Sequence, residues 1–165
     1  MAQYGPPFDF SKLDAILDRV MSTPKFEVLV GYPNTSGSHS SKRSKSSITL
    51  PTLAAIHDLG APGAGIPERA FMRQSVENRR AQYTKFLSNE LRSAYRGEQS
   101  IERAYGRLGA VAVGGVQVEI TRPSPAFVAL QKSTIARKGS SKPLIDTGQL
   151  RQAVTFVVRK PGDTK

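Results

Sequence analysis

The sequence contains no cysteine and no tryptophan. The absence of cysteine excludes disulfide bonds and thiolate chemistry, and it fits a reducing compartment. No run of apolar residues approaches the roughly 20 residues that a membrane-spanning helix needs. The first residues, MAQYGPPFDF, lack the basic start and continuous apolar core of a secretory signal. The sequence therefore predicts a soluble protein made in a cytoplasm.

Acidic residues are few, with 13 Asp and Glu against 24 Lys and Arg, which gives a formal net charge of +11. A surface of this charge attracts polyanions and binds nucleic acids weakly, without sequence preference. Hydrophobic residues make up 38% of the chain. That share is enough for a core, so a wholly disordered basic tail is excluded. A length of 165 residues predicts a single domain over 1–165.

Residues that could carry catalysis are sparse and scattered. The two histidines, His39 and His57, have neither HxxxH nor HExxH spacing, and the carboxylates form no metal-ligand cluster. His57 and Asp58 are adjacent, and neighbours on a helix point apart, so a structural histidine is favoured over half of a catalytic pair. The glycine-rich run 60–65 lacks the GK[ST] ending of a phosphate loop and GxGxxG spacing. We expect no enzyme, and no cofactor, metal or small-molecule ligand.

The chain is organised around residues 57–80. Glycine alternates with alanine and proline over 60–65, which predicts that a short helix ends there and the chain turns. The residue before Pro67 is forced extended, and a long helix follows. The segment after the turn predicts a contact surface for another subunit or a partner. The residues of that candidate surface are Ile66, Arg69, Phe71 and Arg73. The alternative is that Phe71 is core and Arg69 solvated.

The longest periodic pattern predicts a helix from the turn to about Arg96, with a basic face opposite an apolar one. The apolar face comprises Met72, Val76, Tyr83, Leu87, Leu91 and Ala94. Ser100 predicts the cap of a second helix, and the two helices should form an antiparallel hairpin. Glycines in the second helix indicate close approach between helices, since exposed ones would only weaken it. They are Gly106, Gly109, Gly114 and Gly115.

The shorter elements complete the predicted fold. Residues 11–21 predict an amphipathic helix, and residues 49–60 a short helix with Leu53, Ile56 and Leu59 turned inward. A strand over 25–32 is expected to pair with a strand over 153–159. Residues 116–121 fit either a strand or the end of the second long helix. The result is an α+β domain, in which a small mixed or antiparallel sheet packs against a long helical hairpin and shorter helices.

Three further segments carry local signals. Residues 126–137 predict a helix. Structural turns and helix caps are expected at Gly60, Asp146, Thr147 and Gly148. Mobile basic loops are expected over 34–48 and 138–143, because serine, glycine and lysine dominate there. Their basic residues are Lys42, Arg43, Lys45, Lys138 and Lys142. These loops either face DNA or become ordered on a partner, or they are solvated insertions.

Short motifs in the second and last thirds of the chain, IHDLG, IPERAFMR and a block ending in PLIDTGQL, resemble in order and spacing those of the tail-completion and neck proteins of long-tailed bacteriophages. That family is also described as minor tail or virion morphogenesis proteins. The matching residues are Leu59, Gly60, Ile66, Pro67, Arg69, Phe71, Leu130, Thr134, Ile135, Lys138, Pro143, Leu144, Asp146, Thr147, Gly148 and Leu150. One departure is the common Arg-Pro-Phe, which is Arg69-Ala70-Phe71 here.

The resemblance implies a structural virion protein without catalysis, which forms a ring, commonly sixfold, and joins the tail to the filled head. Its implied partners are further copies of itself, the tail terminator or tail tube, and the head-closure or adaptor proteins. Genomic DNA in the channel would be contacted without sequence specificity. No membrane is implied, and the protein would be made in the bacterial host cytoplasm and reside in the virion neck. A tail terminator, a head-tail adaptor and a free basic DNA-binding protein remain the alternatives.

Overall fold

A computed structural model describes residues 11–39, 48–122, 127–139 and 141–163. The helices are α1 (Ser11–Met21), α2 (Leu50–Leu59), α3 (Phe71–Tyr95), α4 (Ile101–Thr121), α5 (Lys132–Lys138) and α6 (Gln149–Gln152). The strands are β1 (Glu27–Gly31) and β2 (Thr155–Arg159). This combination confirms the α+β class. Across these described ranges, no helix is long and apolar enough to cross a membrane.

The helices α3 and α4 form the predicted antiparallel hairpin. Arg79, early in α3, contacts Glu119 late in α4, whereas Glu90 late in α3 contacts Arg107 early in α4. The Ser100 hydroxyl accepts a hydrogen bond from the backbone N–H of Arg103 at 3.1 Å, so the predicted cap of α4 is confirmed. The hairpin is the frame on which the other elements pack.

Glycines set how closely α4 is approached. A Cβ atom at Gly115 would overlap the Tyr83 hydroxyl of α3, and one at Gly109 would overlap the ring of Phe156 in β2. Gly106 and Gly114 would meet nothing within 4 Å. The expectation of close helix approach is therefore right for Gly115 alone. Gly109 admits the sheet instead of a helix, and the other two face open space.

The sheet has two antiparallel strands, as the pairing of residues 25–32 with 153–159 predicted. Val28 lies opposite Val158, and Val30 lies opposite Phe156. Because strand residues alternate between faces, these four side chains share the face that packs on α4. The outer face carries Leu29 and Val157, which are 40% and 46% exposed.

The core lies where α2, α3, α4 and the segment before β2 meet. Phe71 and Ile120 are fully buried at its centre. The other buried members are Ala54, Val116, Leu144, Leu150 and Val154. Two of the three motif segments that carry the resemblance therefore contribute directly to the core.

The structure decides one alternative that the sequence left open and corrects two predicted details. Residues 116–121 continue α4, because Val116 and Ile120, four apart, both enter the core. The helix expected over 126–137 is limited to α5, since residues 127–131 are not helical and 123–126 lie outside the described ranges. Val76 is 56% exposed, because Ser75, at 1% exposed, faces the tight approach of α4 instead.

Candidate functional site

A cleft of about 1620 Å³ opens between α2, the turn after it, residues 128–134 and the loop before α6. Most residues that carry the resemblance line this cleft. They are Leu59, Ile66, Pro67, Arg69, Leu130, Thr134, Pro143, Leu144, Asp146, Thr147, Gly148 and Leu150. Segments far apart in sequence thus form the walls of one site. The sequence motifs did not reveal this, because each is read separately along the chain.

The turn between α2 and α3 sets the shape of one wall. Gly60 ends α2 with φ of +76°, and a Cβ atom there would lie 2.7 Å from the backbone nitrogen of Glu68. Ala61 and Ile66 then pair as an isolated antiparallel bridge, with N–O distances of 2.8 and 3.1 Å. The predicted hinge is therefore a closed turn. Leu59, expected to point inward, is 73% exposed at the cleft, because α2 ends at that point.

The same turn returns Arg69 to α2. The backbone N–H of Arg69 donates to the carbonyl oxygen of His57 at 2.8 Å. The residue is only 4% exposed, and its guanidinium Nη2 donates to the carbonyl oxygen of Val128 at 3.3 Å. Its buried Nε has no hydrogen-bond partner among the described residues. Burial lowers the pKa of the Arg69 guanidinium.

No carboxylate in the described ranges pairs with Arg69. The adjacent Glu68 turns away and pairs with Arg73 at 2.6 Å, in an ion pair whose side chains are both more than half exposed. A buried charge without a counterion is costly, because the protein interior solvates it poorly. The cleft therefore contains one buried cation that its own described neighbours leave unneutralised.

A histidine and a carboxylate meet at another edge of the cleft. His39 Nε2 lies 3.6 Å from Asp146 Oδ2. His39 lies within the expected basic loop 34–48, and its backbone N–H donates to Ile48 O at 2.9 Å. Residues 40–47, which include the predicted DNA-facing Lys42, Arg43 and Lys45, lie outside the described ranges.

The expected cap of α6 is formed differently. Asp146 faces His39 instead of capping the helix, and the residue at the N-cap is Gly148, with φ of +80°. The Thr147 hydroxyl lies 3.5 Å from the backbone nitrogen of Gln149. In the second predicted basic loop, Lys142 is exposed, and the side chain of Lys138 lies outside the described part.

The predicted contact surface does not exist as one face. Phe71 is fully buried in the core, so the interpretation of Phe71 as an interface anchor is wrong. Arg69 is buried in the cleft wall, neither solvated nor on an exposed surface. Ile66 lines the cleft, and Arg73 is exposed beside Glu68. Of the four residues, Ile66 and Arg69 share a site.

Sequence reasoning missed a buried polar contact inside the hairpin. Arg79 donates from Nη1 to Glu119 Oε1 at 2.6 Å, and Asn78 Nδ2 donates to the same oxygen at 3.2 Å. Their side chains are 19% exposed for Arg79 and 6% for Glu119. The available signal was Glu119 itself, which lies between the apolar Val118 and Ile120.

The apolar face of α1 is not covered by any other element that the structure describes. Its exposed hydrophobic residues are Leu13, Ile16, Leu17, Val20 and Met21, from 37% to 86% exposed. The helix is tied to the far end of α3 by Arg19, whose Nη1 donates to the carbonyl oxygen of Tyr95 at 3.1 Å. A row of exposed apolar side chains of this length is typical of a surface that meets another molecule.

The described residues contain no group of three or more histidine, aspartate or glutamate side chains that could hold a metal ion. The cleft is lined by apolar and polar residues, and its two carboxylates, Glu68 and Asp146, already face Arg73 and His39. Arg69 is left as a buried cation without a carboxylate among the described residues, which suits the binding of a segment that carries one. No protein-family model matches this chain, and no curated protein or solved structure matches it significantly.

Proposed function

We propose that this protein is a structural protein of a tailed bacteriophage virion, which forms a ring at the head-tail junction and joins the tail to the filled head. The observation that carries the proposal is the cleft. The motif segments on which the phage resemblance depends are distant in sequence, and they line one site in the fold. A shared binding site explains why such segments would occur together in one family of assembly proteins.

Two surface features support an assembly role. The uncovered apolar faces of α1 and of the sheet, the latter with Leu29 and Val157, are available for contacts with further copies or neighbouring virion proteins. Exposed basic residues on α3 and at its C-cap would attract the phosphates of DNA in a channel without reading its bases. These residues are Arg80, Lys85, Arg92 and Arg96.

The proposal is tested in lysates of a phage that lacks this gene. Electron microscopy should show filled heads lying apart from tails, and addition of the purified protein should join them and restore infectivity. An Asp163→Asn protein, changed at an exposed position near the end of β2, is the control and should join them equally well. Complete virions in the lysate without the protein would contradict the proposed role.

A free DNA-binding protein is the second candidate, and the net charge of +11 favours it. Binding carried by phosphate contacts should weaken steeply between about 50 and 200 mM salt. Assembly through apolar faces should persist over the same range, because burial of apolar surface does not depend on charge screening. Measurement of DNA binding and of particle mass across this salt series separates the two candidates.

A further inference from the structure

The described residues supply no negative charge that neutralises Arg69, so we expect a ligand to supply it. Arg69 is 4% exposed, its Nε has no partner among the residues that the structure describes, and the residue lines a cleft large enough for a peptide segment. A carboxylate is the group that best satisfies a guanidinium, since it accepts two parallel hydrogen bonds and supplies the opposite charge. The site therefore selects an acidic group.

The surroundings of Arg69 define the rest of the ligand. Leu59 and Val128, 73% and 57% exposed, both line the cleft. Covering them requires apolar side chains next to the carboxylate. A ligand that covers them and reaches Arg69 carries an acidic residue next to large apolar residues.

We propose that the cleft binds residues 8–10 of a second copy of this chain, Phe8-Asp9-Phe10, with the Asp9 carboxylate on the Arg69 guanidinium. Asp9 is the one acidic residue in the sequence that has an aromatic residue on each side. The inference rests on the proposed function, because it supplies a contact between neighbouring subunits of the ring.

The position of α1 favours a second copy over the same chain. Residues 8–10 lead directly into α1, which is tied to α3 at Tyr95, whereas Arg69 lies just before the opposite end of α3. A helix of 25 residues is about 37 Å long. The described side chains of α1 are exposed along its whole length, so α1 does not pack along α3 toward its own cleft.

A contact of this kind is head-to-tail. Each copy would present its N-terminal segment to the next and receive one in its own cleft, and such heterologous contacts close into rings when the rotation permits. The uncovered apolar face of α1 follows the bound segment in sequence, so docking would bring it against the neighbouring copy. The cleft, α1 and the segment Phe8-Asp9-Phe10 would then all belong to one interface.

Cysteine cross-linking tests this contact, because the chain contains no cysteine of its own. Asp9→Cys protein and Val128→Cys protein are made separately, one with a mass tag, mixed and oxidised mildly. We expect covalent heterodimers between the two variants, which form faster than when Asp163→Cys replaces Asp9→Cys. Heterodimers no faster than with that control would overturn the proposal. The double variant Asp9→Cys with Val128→Cys is a further test. If it forms only internally cross-linked monomers, the proposal is overturned too, since the segment would then bind its own chain.

Self-association provides a second readout. Loss of a charge-assisted hydrogen bond should weaken association about ten- to hundredfold. Sedimentation velocity on the full-length Asp9→Asn protein should show this loss, while Asp163→Asn should associate like the wild type. Unchanged association of Asp9→Asn would overturn this inference and leave the proposed function standing. Failure of the wild-type protein to join heads to tails would remove the proposed function, whatever the cross-linking shows.

Discussion

The backbone N–H of Met72 donates a hydrogen bond to Asp58 Oδ1 at 2.8 Å. The side chain near the end of α2 thereby caps the start of α3, whose own N-cap residue, Ala70, supplies no side-chain bond. This contact joins the IHDLG and IPERAFMR motifs, so the acid in the first motif is explained by the geometry of the second. It also fixes the turn that carries Arg69 into the cleft.

Replacement of Asp58 by alanine should lower the free energy of unfolding by about 1 kcal/mol, the usual value of a helix cap. Asp58→Asn is the matched control, because its amide oxygen can still accept the Met72 N–H. Urea denaturation followed by circular dichroism measures both variants. Equal stability of the alanine variant and the wild type would show that the cap is unimportant.

The carboxyl group of Asp58 should also make stability depend on pH. Burial raises the pKa of Asp58 above its ordinary value, and the Met72 N–H opposes this only in part. The folded state therefore binds the proton more tightly than the unfolded state does. The contribution of Asp58 is fully present below the unfolded pKa of about 3.9 and falls as pH rises through the folded pKa. Urea denaturation of the wild type and of Asp58→Asn is measured from about pH 3.5 upward, in steps of about one pH unit. The wild type should lose stability relative to the variant as the pH rises. A parallel pair of curves would contradict this sign.

Gly115→Ala should destabilise the hairpin by about 1–3 kcal/mol, because the added Cβ would overlap the Tyr83 hydroxyl. Gly114→Ala meets open space and should be neutral or stabilising by up to about 1 kcal/mol, since alanine is the better helix former. The hydroxyl itself is the obstacle, so Tyr83→Phe should restore part of the stability lost by Gly115→Ala. Thermal unfolding of the wild type, Gly114→Ala, Gly115→Ala and the double variant Gly115→Ala with Tyr83→Phe measures these differences. A destabilised Gly114→Ala together with a normal Gly115→Ala would refute the packing described for α3 and α4.

Arg79→Met should cost about 3–5 kcal/mol, because it leaves the buried Glu119 carboxylate without its ion-pair partner. The double variant Arg79→Met with Glu119→Leu removes both charges, and we expect its stability to be close to that of the wild type. Arg80→Met, on the exposed side of α3, is the control and should change stability little. Chemical denaturation of these three variants and of the single variant Glu119→Leu decides the matter. Simple additivity in the double variant would show that the two residues act independently.

Phe71→Ala should lower the free energy of unfolding by about 3–5 kcal/mol, because the ring is fully buried in the core. Arg73→Ala, in an exposed ion pair with Glu68, should cost less than about 1 kcal/mol. Urea titrations compare the two. If Phe71→Ala kept wild-type stability, Phe71 would not be the core residue that its burial indicates.

Local signals predicted the elements well where a cap or a breaker acts within one helical turn. Ser100 begins α4 and Gly60 ends α2 because a hydroxyl or a missing Cβ decides the backbone conformation at that residue. The strand pairing followed from the β-branched residues in two distant segments. The same signals failed at Val76 and Leu59, since periodicity identifies a helical face but not which neighbour the face will meet.

The site was harder to predict, because its residues come from segments that lie far apart in the sequence. Nothing local distinguishes Arg69, which is buried without a counterion from the described part of the chain, from Arg73, which is exposed and paired. Nor does the sequence separate Arg79, which faces Glu119, from Arg80 beside it in solvent. Each difference depends on side chains contributed by another element.

The sequence by itself determined the charge of the molecule, the absence of disulfides, the α+β class and most helix ends, because composition and short-range backbone preferences control these properties. Only the tertiary structure decided which motif residues are core and which line the cleft. Burial and electrostatic pairing depend on distances between atoms, and residues far apart in the chain acquire those distances only when the hairpin, the turn and the sheet pack together. Arg69 is the clearest case: its chemistry follows from residue type, and its unpaired burial follows from the fold.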